Sequence, residues 1–138
     1  MAGEIVVTAT SVVKGTGATV EKSYLAGEAI TAGQACYVKS DGKLWKSQCD
    51  GTAAEATFAG IALNGAAAEQ PVQMVVEGLI TIGATVVAGT IYVVGSVAGG
   101  ICPWASLATP NYVSVVGYAT TSGILFVKPI NTGVTIPA

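Results

Sequence analysis

The chain has 138 residues, 51% of them apolar and only 10% charged; all six basic residues are lysine, histidine is absent and the net charge is −2. That length is enough for one domain with its own core, and so little charge is low for a monomer that stays soluble alone, so oligomerisation or a large docking surface is expected. Without arginine or a basic stripe, phosphate-driven nucleic-acid binding is excluded, and without histidine the commonest general base is missing.

Glu4 to Thr10, rich in Val and Thr, reads as a strand. Lys14-Gly15-Thr16-Gly17 is a flexible turn, too short for a phosphate-binding loop, and Ala18 to Tyr24 reads as a second strand. Residues 1–24 are expected to form an extended N-terminal arm that reaches a neighbour. Ala35 to Lys39 and Lys43 to Ser47 flank Ser40-Asp41-Gly42, and Asp-Gly between such runs signals a hairpin. Its second strand, with Lys43 and Lys46, reads as an outer strand whose lysines discourage edge pairing. Thr52 to Ala56 and Ala66 to Glu69 can each make one helical turn. Between them Thr57 to Leu63 is a strand containing Gly60, and Val72 to Glu77 alternates apolar and polar residues, so one face is core and the other wet.

Much of this plan recurs. Gly27 to Val38 and Gly83 to Val93 share a Gly, an Ala-Gly and a Tyr-Val run. Each is followed by a glycine turn, a tryptophan (Trp45, Trp104), an apolar-Gly-apolar-Ala segment (Ala59 to Ala62, Val116 to Ala119) and a closing strand. The expected fold is therefore all-β: a compact antiparallel β-barrel or β-tulip-like domain built from an internal duplication, with extended N- and C-terminal arms. The domain spans 25–128, copy one being 25–77 and copy two 78–128, and 129–138 is a tail without periodicity. Copy two has lost nearly every charge. Its closing strand, Ile124 to Lys128, is apolar on both faces until the lysine, so a partner is expected to cover one of them. The candidate interface residues are Ile5 and Val7 in the arm, Leu125 and Val127 in the closing strand, and Ile136 in the tail.

Cys36, Cys49 and Cys102 lie far apart with no CxxC, so they read as reduced, buried thiols rather than a zinc or redox site. No cofactor is expected. The uncharged run from Gly78 to Gly100 is long enough to cross a bilayer, but its glycines and β-branched residues suit strands and turns, so no membrane span is expected. Met1-Ala2-Gly3-Glu4 has no basic segment before an apolar one, so no secretory signal is expected and synthesis in a reducing cytoplasm fits. Lys22-Ser23, Lys39-Ser40 and Lys46-Ser47 are sequence neighbours that point to opposite faces of a strand, which is poor placement for a Ser-Lys dyad. Asp41, Asp50, Glu55, Glu69 and Glu77 read mainly as turn and surface carboxylates, so no enzymatic activity is expected.

Leu25 to Val38, Asp41 to Lys46, Phe58 to Leu63 and Glu77 to Ile80 together resemble the small capsid decoration (cement) proteins of tailed bacteriophages. That resemblance spans about Leu25 to Val127 and rests on glycine and turn placement. It implies a β-barrel or β-tulip domain, usually a homotrimer, made in the bacterial host and sitting on the outer surface of the virion's capsid. There it would bridge neighbouring major capsid protein subunits. The alternative is a phage head-fibre or tail-associated module that binds host-surface carbohydrate through Trp45, Tyr37 or Trp104.

Overall fold

A computed structural model describes residues 4–136. Ten strands account for nearly all the regular structure: β1 (Val13–Lys14), β2 (Thr19–Leu25), β3 (Ala35–Val38), β4 (Leu44–Lys46), β5 (Gly60–Ala62), β6 (Pro71–Thr81), β7 (Ile91–Val94), β8 (Ile101–Pro103), β9 (Tyr112–Thr121) and β10 (Ile124–Thr135). No α-helix occurs among the described residues. The strands form one antiparallel sheet in the order β4-β3-β5-β6-β10-β9-β7-β8, with β1 and β2 also paired to β6. The sheet curls into a half-barrel, so the all-β, barrel-like expectation holds.

That order displays the duplication. Copy one runs β4-β3-β5-β6 and copy two β8-β7-β9-β10, and the two meet where β6 pairs with β10. Their hydrogen bonds also match. Gly33 N–H donates to Ala62 O and Ala62 N–H to Gln34 O, at 2.8 and 3.0 Å; Gly89 N–H donates to Ala119 O and Ala119 N–H to Thr90 O, at the same distances. Gly33 and Gly89 have φ of 90° and 83°, the left-handed region that only glycine enters without strain.

Yet the copies turn opposite faces to the shared core. Register makes Ala35, Ile61 and Val75 of copy one equivalent to Ile91, Tyr118 and Phe126 of copy two. The first three lie in the main core, while the second three lie on the outer side. Conversely Cys36, Leu44, Ala62 and Met74 form a satellite core with Ala26, Ile30, Ala66 and Val72, whereas their equivalents Tyr92, Ile101, Ala119 and Leu125 belong to the main core.

A bulge in β6 causes the inversion. Thr19 and Val20, adjacent in β2, face Glu77 and Val75, which leaves Val76 unmatched. One extra residue reverses the alternation of the strand. Before it Val72 and Met74 point to the satellite core and Val75 to the main one; after it Ile80 points to the main core and Leu79 outward. The boundary expected at 77/78 therefore falls inside one continuous strand.

Both ends of the sheet are capped. At β4, Leu44 O accepts from Gly27 N–H at 2.8 Å and Lys46 N–H donates to Glu28 Oε2 at 2.9 Å. At β8, Ile101 O accepts from Ile5 N–H at 2.8 Å, and Pro103 has no N–H to offer. Edge-to-edge growth has little to add at either end.

The arms are the main departure from expectation. Glu4 to Thr8 is irregular rather than a strand, ends in a 3-10 turn (Ala9–Ser11) and lies along the chain's own second copy. Ser96 N–H donates to the Glu4 carboxylate at 3.0 Å, Thr8 N–H donates to Gly83 O, and Val12 is buried in the main core. Ala18 to Tyr24 is a strand, as expected, but it is β2 of the sheet. The expected tail continues β10 to Thr135, its Pro129 tolerated inside a bulge between the Val127–Gly117 and Ile130–Val115 pairs. Pro137 and Ala138 lie outside the described residues.

Candidate functional site

The expected interface residues do not form one surface. Leu125 and Val127 are fully buried in the main core, so they are not available to a partner; alternation within β10 sends their neighbours Phe126 and Lys128 outward instead. Ile5 and Val7 are half-buried and pack on the same core. The Val7 side chain occupies the space a Cβ on Gly33 would need. Ile136 is half-buried, its N–H donating to Asn111 O at 2.9 Å.

Several candidate polar groups serve local structure. Thr52 and Glu55 form a reciprocal capping box: Thr52 N–H donates to Glu55 Oε1 at 2.9 Å and Glu55 N–H to Thr52 Oγ1 at 3.2 Å. The bond from the Thr52 backbone holds the Glu55 carboxyl below its ordinary range. Asp41 accepts from Lys43 N–H at 2.9 Å, closing the predicted hairpin, and that bond lowers its pKa in the same way. Glu69 pairs with Lys43, and Glu77 pairs with Lys128 at 3.3 Å. Ser47 Oγ donates to Thr57 O at 2.7 Å, and Ser23 Oγ donates to Glu21 at 2.6 Å. Burial pushes the Cys36 and Cys102 thiols up to about 12 and that of Cys49 to about 11.

The two tryptophans differ in place and in exposure. Trp45 pairs with Tyr37 in the β3–β4 hairpin, and the register-equivalent position in β8 is Cys102, not Trp104. Gly27 backbone lies against the Trp45 indole, Lys39 Nζ sits 4.1 Å above its ring, and Nε1–H donates to Asp41. Trp104 stands in a 3-10 turn (Trp104–Ser106) just past β8 and is 61% exposed. The tryptophans that follow the two repeated turns therefore do not occupy matching positions. A cleft of about 530 Å³ beside β3 brings together Tyr37, Lys39, Ser40, Thr52, Glu55 and Thr57.

An apolar row lies on the outer side of copy two. Register aligns Ile91, Tyr118, Phe126 and Leu79 in one row across β7, β9, β10 and β6. Tyr118 and Phe126 stack with ring centroids 5.5 Å apart, and Ile91 and Tyr118 remain 46% and 44% exposed. Beside the row, Gly117 leaves a hollow of about 240 Å³ walled by Ile91, Val115, Tyr118, Lys128 and Ile130. A Cβ on Gly117 would collide with Phe126 O, so the close approach of β9 to β10 requires glycine there. Sequence reasoning missed this row. Its signal was the Tyr118 that replaces Ile61 in the repeated apolar-Gly-apolar-Ala segment.

Comparison with known proteins finds no family model that matches the chain and no curated protein that matches its sequence.

Proposed function

We propose that the protein is a structural component of a tailed-phage virion that binds the outside of the capsid and stabilises it by bridging neighbouring major capsid protein subunits. One observation carries most of this reading: a chain with little charge leaves apolar side chains exposed on two separate parts of its surface. One is the outer row of copy two. The other is the N-terminal segment with the neighbouring β7–β8 turn, where Val6 is 87% exposed and Val97 is exposed too. A bridging protein needs apolar surface both for the capsid and for contact with other copies of itself, and burying apolar area contributes about 25 cal/mol per Å² to each contact. Many symmetric copies multiply a modest contact. The glycine and turn pattern that resembles decoration proteins supports the same reading.

Co-sedimentation with expanded heads that lack decoration tests it. Wild-type protein is expected to pellet with the heads of its own phage, and V6E/V97E protein, with an unchanged circular dichroism spectrum, is expected to stay in the supernatant. Failure of the wild type to bind those heads would overturn the reading. The carbohydrate alternative has less support, because Gly27 and Lys39 already engage the Trp45 ring.

A further inference from the structure

Copy one shows what this β unit does with its Ala35–Ile61–Val75 row: it buries the row beneath the strands of copy two. The equivalent row of copy two, Ile91, Tyr118 and Phe126, is larger and more aromatic, continues into Leu79, and has no strands over it among the described residues. Both sheet ends are capped, so association is directed to this face rather than to an edge. Trp104, one step past the Tyr92–Pro103 pair, extends the apolar surface at the Ile91 end.

The charges on this face indicate the occupant. Glu77 and Lys128 are the only charged residues in β6, β7, β9 and β10, and they lie side by side next to the apolar row. A face with one charge of each sign gives no net attraction to an anionic lipid surface or to a strongly charged partner. It is, however, complementary to itself. Rotated by a two-fold axis that runs along the seam between β6 and β10, the Glu77 of one copy can meet the Lys128 of another while Leu79 of each packs on Phe126 of the other, which is the self-complementary arrangement of a two-fold contact. We propose that the outer face of copy two is where a second copy of this chain docks, face to face, with Glu77 of each copy meeting Lys128 of the other. The proposal concerns self-association only and does not depend on the capsid reading. It departs from the trimer implied by the family resemblance, because a three-fold contact joins two different patches.

Sedimentation velocity tests the contact. Wild-type protein is expected at twice the chain mass, and Tyr118→Lys at the chain mass with an unchanged circular dichroism spectrum. Glu77→Lys and Lys128→Glu are each expected to be monomeric, since each places like charges opposite one another. An equimolar mixture of the two is expected to restore the doubled mass, because only the mixed pair sets opposite charges across the axis. The mixture also keeps the test decisive if Tyr118→Lys fails to fold: both charge variants break the Glu77–Lys128 pair within the chain, so a structural role for that pair predicts no recovery on mixing. A monomeric wild type, a trimer, or a dimer unaffected by both charge variants would overturn the proposal. A monomer that loses head binding through Tyr118→Lys would instead assign this face to the capsid, and overturns it equally.

Discussion

The two copies of the β unit share strand order, glycine turns and hydrogen-bond register, yet they bury opposite faces. Copy one is covered on both sides, by the main core and by a satellite core that its own loops complete around Ile30 and Ala66. Copy two has the main core on one side and an open apolar row on the other. A duplicated sequence therefore need not give duplicated surfaces. One unmatched residue, Val76, decides which face each copy presents.

Deleting Val76 should produce the largest effect. Without the bulge the alternation of β6 runs unbroken, so its two halves cannot both keep Val75 and Ile80 in the main core. The expected result is loss of cooperative urea unfolding and of the near-UV aromatic signal. A variant that still unfolds cooperatively at the wild-type midpoint would show that the inversion has another cause.

Paired truncations come next. Leu125 and Met74 occupy equivalent positions, one in the main core and one in the satellite core. Leu125→Ala is expected to lower stability by about 2–5 kcal/mol, the usual range for a large aliphatic core residue, and Met74→Ala to lie near the low end of that range. Urea midpoints at constant m-value measure both. An equal or larger loss at Met74 would mean that the satellite core is no less constrained than the main one.

Much of the fold was legible because it depends on short-range chemistry. Gly42, at φ 78°, closes the hairpin that Asp41-Gly42 predicts, and β4 is an end strand, as Lys43 and Lys46 suggest. Val72 and Met74 share a buried face with the half-buried Val76, opposite exposed Gln73, as the alternation predicts, but the bulge turns Glu77 to the same side as Val76 instead of the side of Gln73. What could not be read depends on long-range registry. Leu125 and Phe126 are both large and apolar, and nothing local says which one faces the core. Only the β6–β10 register, Ile80 against Leu125 and Leu79 against Phe126, decides it. The tail misled for a related reason: Pro129 ends a regular ladder but fits a bulge, and Asn131 fastens β10 by accepting from Phe58 N–H and donating to Phe58 O, at 2.7 and 3.0 Å. Leu125 and Val127 were misassigned to an interface because alternation identifies two faces without saying which of them is outside.

The smallest expected effects come from the thiols, which report on the two copies separately. Cys36 belongs to the satellite core of copy one, while Cys102 is buried in β8 of copy two. Burial favours the neutral thiol of each in the folded chain, so the folded state holds protons that the unfolded chain releases above its ordinary value of 9.0. The stability this contributes is complete below pH 9 and is lost as pH rises toward about 12. A small cluster closed by loops opens at lower free energy than a core shared by the whole sheet. In mild denaturant at pH 8, Cys36 is therefore expected to react with a thiol-specific disulfide reagent before Cys102, and both only after opening. Mass spectrometry of the modified peptides gives the order. If Cys102 reacts first, copy two is the less stable half, and the open apolar row on its outer face would weaken its strands rather than merely await cover.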